Sequence, residues 1–173
     1  MDITGEADGS PMKVGVAVTD VMTGMYAVSA IQTALIARAQ HGGGQHIDIS
    51  LFDVQLAYLA NQGMNYLISG TSPHRLGNTH PNIYPYSTFP VKDGHMIIAV
   101  GNDAQFVALC KILDLVALGA DERFKTNGGR SVHRDALKPR LEEALAKRTL
   151  TEMTAALKEA NIPHSPINSI ADA

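Results

Sequence analysis

Asp20 closes the strand-like run Val14–Asp20 and opens a long apolar helix predicted over Val21–Ala39. At that point the unpaired backbone N–H groups and the positive end of the helix dipole favour an anion. The effect is worth roughly 0.3–1 kcal/mol, approaching about 2 when the group is partly buried. Such a carboxylate is held ready rather than solvated. The same position also suits a plain N-cap, in which the side chain accepts a bond from Thr23 or a neighbouring N–H.

Other chemistry-bearing residue types are sparse. The seven histidines form no metal pattern: His74 and His80 lie six apart on a loop, and the rest are scattered without cysteine or carboxylate partners at ligand spacing. A single cysteine, Cys110, cannot form an intrachain bridge and lies one helical turn from Phe106, so a packed thiol is expected. The run His41–Gly44 has the letters of an esterase oxyanion loop, but no Gly-x-Ser-x-Gly elbow accompanies it, and a helix stop at the glycines is the better reading.

Composition narrows the function classes. The 173 residues are 45% hydrophobic and 18% charged with a net charge of −3 and no Trp, enough apolar content for one or two modest cores. The mildly acidic balance, without a basic block, argues against nucleic acid or an anionic membrane as partner. The apolar helix carries Gln32, Thr33 and Arg38 and follows an acid, so it reads as a buried core helix and not a membrane span. With no signal-like segment and one cysteine, a cytoplasmic home is expected.

The elements that must position Asp20 follow from the pattern. After a turn-rich approach loop, Met1–Pro11, and the helix 21–39, the alternating run Gln45–Ser50 predicts a strand and Leu51–Ser69 a second long helix. A helix, a tight turn, a strand and another helix make a fragment of α/β architecture. Composition shifts at Gly70, where a breaker-rich loop runs to Asn82, and we place the domain boundary there, giving domains 1–69 and 70–173. Beyond it, strand-like arms at Tyr86–Val91 and His95–Val100 flank Asp93-Gly94, a hairpin signal. Gly101–Asp103 supplies a cap for a helix over Ala104–Leu115, and further helical pieces are expected near Glu122, over Ser131–Lys147 with a kink or restart at Pro139, and over Thr151–Glu159. Glu143 and Lys147 are spaced as a pair on a solvated helix face. Residues 70–173 thus read as a small α+β unit.

The stretch through Gly15, Asp20, Gly24, Ala34–Arg38, Gly42–Gln45 and Ile47–Asp53 resembles the family III CoA-transferases, the formyl-CoA and carnitine-CoA transferase group. The resemblance continues in order through Leu76–Asn78, Pro85-Tyr86, Asp93-Gly94, Gly101–Phe106, Asp121–Phe124, Asn127, Arg130, Ile162-Pro163 and Pro166–Asn168. It implies a partial Rossmann-like large domain followed by a small α+β domain. It implies Asp20 as the catalytic nucleophile in moving CoA between an acyl-CoA thioester and a free carboxylic acid, through an aspartyl-CoA thioester. Coenzyme A is then a substrate, and no permanently bound cofactor is expected.

In the formyl-CoA branch a glycine-rich loop of the small domain shields the intermediates; here the corresponding region is Gly77-Asn78 to Tyr86, without a glycine run, which points to a bulkier acid such as succinate. Gly77, Asn78, Tyr84 and Tyr86 are the substrate-binding candidates, with ordinary core packing as the other reading of the two tyrosines. The resemblance also implies that this chain lacks the family's N-terminal nucleotide-binding half and its C-terminal return, that it is inactive alone, and that the full-length protein is an interlocked homodimer. Two alternatives stand beside the transferase: an α-methylacyl-CoA racemase-like isomerase, with Asp20 as an acid/base group, and a non-catalytic assembly module.

Overall fold

The computed structural model describes residues 1–172, which form two compact units, Met1–Gly77 and Asn78–Ala173. In the first unit, helix α1 spans Val18–His41, α2 Leu51–Ala57 and α3 Asn61–Ser69. The expected strands at 14–20 and 45–50 do not form: Gly15 and Val16 bend, Val18–Asp20 are helical, and 45–50 is unpaired, because no strand lies beside these runs among the described residues of this unit to take up their N–H and C=O groups. α1 therefore begins earlier than expected and absorbs Asp20 as its third residue, while Ala17 caps it with no side-chain bond. It stops at the glycines as expected: Gly42 has φ 71° and donates its N–H to the Arg38 carbonyl.

The single helix expected over 51–69 is two. Ser50 caps α2 by accepting from the Asp53 N–H at 3.3 Å, and the chain breaks at Ala60, whose φ of 47° and ψ of −121° lie in a region that costs an L-residue about 1–3 kcal/mol. α1 also corrects the expectation of a covered core helix, since none of its residues is buried and Val21 is 62% exposed. In this unit only Val54 is buried among the described hydrophobic residues, while Phe52 and Ile68 are 68% and 80% exposed.

The second unit has a conventional core. Strands β1 (Tyr86–Val91), β2 (Gly94–Ala99) and β3 (His164–Pro166) form an antiparallel sheet in the order β1-β2-β3, with Phe89 opposite Met96 and Ile98 opposite His164. The two-residue turn Lys92-Asp93 carries the expected hairpin, and alternation buries Phe89, Val91, Met96 and Ile98. Against them pack Phe106, Leu109 and Cys110 of α4 (Asp103–Ile112), Leu118 of α5 (Val116–Gly119) and Phe124 of the 3-10 turn Glu122–Phe124. Leu137, Leu141 and Leu145 of α7 (Arg134–Leu145) and Met153 and Leu157 of α8 (Leu150–Glu159) complete the core at helical spacing.

Caps fix the helix starts. Asn102 accepts from Gln105 N–H at 2.9 Å, so the cap of α4 is Asn102 and Asp103 is already helical. Thr149 and Glu152 form a reciprocal capping box on α8. α4 and α8 end alike: Asp114 (φ 59°) and Asn161 (φ 52°) turn left-handed, and the next residue's N–H reaches back five residues, Leu115 to Cys110 and Ile162 to Leu157. The helix expected over 131–147 divides at His133, between α6 (Asn127–Val132) and α7, and α7 runs on through Pro139.

Arg130 of α6 is completely buried and joins several of these elements. Its guanidinium donates to the carbonyls of Tyr84 (2.8 Å) and Phe124 (2.9 Å) and to Asp103 Oδ1 (2.8 Å), and it lies 4.6 Å from the centroid of Phe106. Gly129 allows the approach: a Cβ there would sit 2.4 Å from the Arg123 carbonyl oxygen. Replacing Arg130 by alanine strands the Tyr84 and Phe124 carbonyls and empties the core space its side chain fills, and should cost about 3–5 kcal/mol. Arg130→Lys should recover little of this, since one ammonium cannot reach three acceptors. Amide hydrogen exchange along β2 is the measurement; wild-type protection in either variant would contradict this role.

Candidate functional site

Asp20 lies in the first turn of α1, where the helix dipole still favours a carboxylate. Its oxygens accept no hydrogen bond from the described residues and its side chain is exposed, so it is neither the plain cap nor the desolvated anion that the sequence suggests. It borders a cleft of about 830 Å³ together with Ala17, Thr19, Phe52, Gln55 and Leu56. Thr19 Oγ1 hydrogen-bonds Gln55 Oε1 and Thr23 Oγ1 donates back to the Thr19 carbonyl at 2.7 Å, so the start of α1 is pinned to α2 on the side that carries the acid. At Gly24, one turn further on, a Cβ would have nothing within 4 Å, and the glycine leaves the helix backbone open there.

Gly77 is held in the same unit for a structural reason. It adopts φ 58°, donates its N–H to the Gly5 carbonyl at 3.0 Å, and a Cβ there would lie 3.0 Å from a Glu6 carboxylate oxygen. Asn78, the first residue of the second unit, is exposed.

The tyrosines divide. Tyr84 is a core residue, 1% exposed, with its hydroxyl buried and unpartnered; burial, reinforced by Glu142, raises its pKa well above the ordinary phenol value. Tyr86 is half-buried and stacks on His80, with ring centroids 5.1 Å apart and planes 13° from parallel. Thus Tyr86 stands partly at the surface of its unit and Tyr84 belongs to the core.

His80 was not singled out by the sequence except as a residue without metal partners. Its Nδ1 accepts two backbone N–H bonds, from Asn82 and Ile83, each at 3.1 Å. That geometry leaves the ring proton on Nε2, and burial lowers the pKa from the ordinary 6.5. The loop around it is braced from two helices and the sheet. Asn127 Nδ2 donates to the Asn82 carbonyl (2.8 Å) and its Oδ1 accepts from Tyr84 N–H (3.1 Å), Arg134 donates to the Pro81 carbonyl (3.2 Å), and Thr79 and Ser87 share a hydroxyl bond (3.0 Å). Asn127 and Arg134 lie more than forty residues from the groups they hold, and the sequence marked only a breaker-rich loop ending at Asn82.

The remaining candidates are inert or structural. Cys110 is buried and burial pushes its thiol up to about 11, in keeping with the packed thiol expected. Glu143 and Lys147 pair at 2.9 Å as their spacing suggested. Among the described residues no His, Cys, Asp or Glu cluster could hold a metal ion, and no helix is long and apolar enough to cross a membrane.

A family model, CoA-transferase family III, matches residues 1–173. The chain is 53% identical over 170 residues to a succinate–glutarate CoA-transferase of Agrobacterium fabrum, covering 98% of this chain and 42% of that protein. It is 38% identical over 170 residues to a succinyl-CoA:glutarate CoA-transferase of Homo sapiens, covering 98% of this chain and 39% of that protein. A solved CAIB/BAIF family protein from Brucella suis superposes with a TM-score of 0.78 at 52% identity, covering 99% of this chain and 46% of that one. The chain therefore spans less than half the length of these relatives.

The His80 geometry has a pH consequence. Protonation must place a proton on Nδ1 and break both loop bonds, so the folded pKa lies below the unfolded value of about 6.5. The contribution of His80 to stability is then complete above about pH 6.5 and is lost as pH falls towards the folded pKa. Urea midpoints measured from pH 8 down to pH 5 should fall more steeply for wild type than for His80→Phe; equal slopes would show that His80 is not the titrating group.

Proposed function

The chain belongs to CoA-transferase family III, and on that premise we propose that it carries the nucleophile of an enzyme that moves CoA between an acyl-CoA and a free carboxylic acid. The observation that carries this reading is the unengaged Asp20 carboxylate in the first turn of α1, bordering a cleft.

The chemistry is a sequence of balanced exchanges. An Asp20 oxygen attacks the thioester carbonyl, the C–S bond breaks, and CoA leaves as thiolate with a mixed anhydride on Asp20. The thiolate then attacks the Asp20 carbonyl carbon, the first acid departs as its carboxylate, and an aspartyl-CoA thioester remains. The incoming carboxylate attacks that thioester, expelling the thiolate and forming a second anhydride. The thiolate finally attacks the new acyl carbon, which releases the new acyl-CoA and restores Asp20. An activated acyl group persists throughout, so water must be kept away and each tetrahedral adduct needs fixed donors. A serine in place of Asp20 would give an ester too unreactive to return its acyl group to CoA.

We assign residues 1–69 to a partial Rossmann-like large domain and residues 70–173 to a small α+β domain, the compact units themselves dividing after Gly77. The likeness to a CAIB/BAIF structure supports this assignment. Gly77, Asn78, Tyr84 and Tyr86 stand as the substrate-binding candidates that the family resemblance implies, in place of a glycine-rich loop. The acids named for the relatives, succinate and glutarate, are dicarboxylic, and a C4–C5 dicarboxylic acid is the substrate class we infer here. The bare apolar flanks of α1 support an interlocked homodimer in the complete protein, where they would be covered. We place that protein in the cytoplasm, with CoA as a substrate and no resident cofactor.

The test uses the chain within its full-length reading frame. With succinyl-CoA as donor and glutarate as acceptor, wild type should form glutaryl-CoA, and Asp20→Ala should lower kcat by roughly a thousandfold or more. Retention of wild-type turnover by Asp20→Ala would rule out the nucleophile. Entry of solvent deuterium at the α-carbon without CoA transfer would replace the transferase by an isomerase.

A further inference from the structure

The cleft beside Asp20 is built within the first unit, and the α2 side chains that line it are apolar except at one position. Phe52, Gln55 and Leu56 face it at helical spacing, and of the three only Gln55 can hydrogen-bond through its side chain. The Gln55 amide is fixed from its oxygen end, because Thr19 Oγ1 donates to Oε1. Its Nε2 hydrogens find no acceptor among the described residues. A half-buried amide on an apolar wall is thus held in place with its N–H groups unused.

We propose that Gln55 is a further catalytic residue, whose Nε2–H donates to the oxyanion of the tetrahedral adducts formed at Asp20. The inference rests on the transferase reading and deepens it by naming a donor that those adducts need. When an Asp20 oxygen adds to the thioester carbonyl, the C=O π pair moves onto the carbonyl oxygen, which accepts from Gln55. On collapse the pair returns, the C–S bond breaks and CoA leaves as thiolate. The amide gives up no proton, so it serves each later adduct unchanged.

The position of Gln55 and its chemistry both fit this role. Side chains of consecutive helical residues diverge by about 100°, so Gln55, tied to Thr19, stands to one side of the Asp20 carboxylate and makes no bond with it in the resting protein. The nucleophile stays uncommitted, and the donor is reserved for charge that develops on a bound acyl group. An ammonium in the same place would pair with the carboxylate before reaction and dull its attack, whereas a neutral N–H dipole gains most when a carbonyl oxygen becomes an anion. The Thr19 bond also removes the rotamer freedom of a long side chain before substrate arrives.

The experiment uses the full-length protein with succinyl-CoA and glutarate, and compares Gln55→Met, Thr19→Val and the double variant. Gln55→Met should lower kcat by roughly a hundredfold or more with little change in either KM, and should slow the hydroxylamine-trapped Asp20 adduct by the same factor in a single turnover. Thr19→Val frees the amide but keeps it, and should lose far less; the double variant should be no slower than Gln55→Met. Equal losses in Gln55→Met and Thr19→Val would trace the effect to the broken tie between the helices and overturn the proposal, as would wild-type kcat in Gln55→Met. Gln55→Glu keeps an acceptor for Thr19 but, ionised, has no N–H to give. It should melt with wild type and lose at least as much as Gln55→Met, and wild-type turnover in it would overturn the proposal even if the methionine variant did not fold. A wild type that transfers CoA to no acid would overturn the transferase reading, and the proposal with it.

Discussion

The Arg130 guanidinium is the interaction on which the second unit depends. Sequestering a cation in a core is costly unless its donors find acceptors, and this one finds the carbonyls of Tyr84, before the hairpin, and of Phe124, in the 3-10 turn, together with the carboxylate that opens α4. One planar group therefore sets the spacing between the start of the hairpin, two helices and a turn. The tyrosine carbonyl it holds lies only two residues before the Tyr86 ring on which His80 stacks. The geometry of the loop surface is in this way inherited from a buried charge.

The first unit obeys the opposite logic. α1 is apolar on nearly every side, a pattern that belongs to a helix enclosed by other elements, yet within this chain it is pinned mainly through the Thr19–Gln55 bond and its packing on α2. Its other hydroxyl side chains are satisfied inside the helix, Thr23 on Thr19, Ser29 on Met25 and Thr33 on Ser29, so they neither cap it nor anchor it elsewhere. Asp20 keeps its carboxylate uncommitted for the same reason: no neighbouring donor in this unit claims it. Dipole and cleft provide the setting.

What the sequence made legible was what local chemistry decides. The Asp93-Gly94 hairpin and the glycines after His41 each carry their structure within four residues, and both stand as expected. Failures came where the deciding partner is distant or where a residue type gives no signal. The runs 14–20 and 45–50 alternate like strands, but a strand is a pairing, and no pairing partner lies beside them. Ala60 breaks a helix although alanine is the best helix former, so no propensity could reveal it. Arg130 was visible only through family resemblance, since a buried charge cannot be inferred from its neighbours along the chain, and the His80–Tyr86 stack joins rings whose meeting depends on the fold of the intervening loop. Tyr84 and Tyr86 looked alike as candidates because alternation says which residues differ in facing, not which face is wet.

Covalent acylation of Asp20 is the central claim, and the chain offers an unusually clean way to see it. Trypsin should release Val14–Arg38, a peptide in which Asp20 is the sole acidic side chain. The full-length protein, quenched with hydroxylamine during turnover with an acyl-CoA and digested, should yield this peptide with the added mass of a hydroxamate, and should not when the acyl-CoA is omitted. An unmodified peptide from an enzyme shown to be turning over at the moment of quenching would contradict the claim.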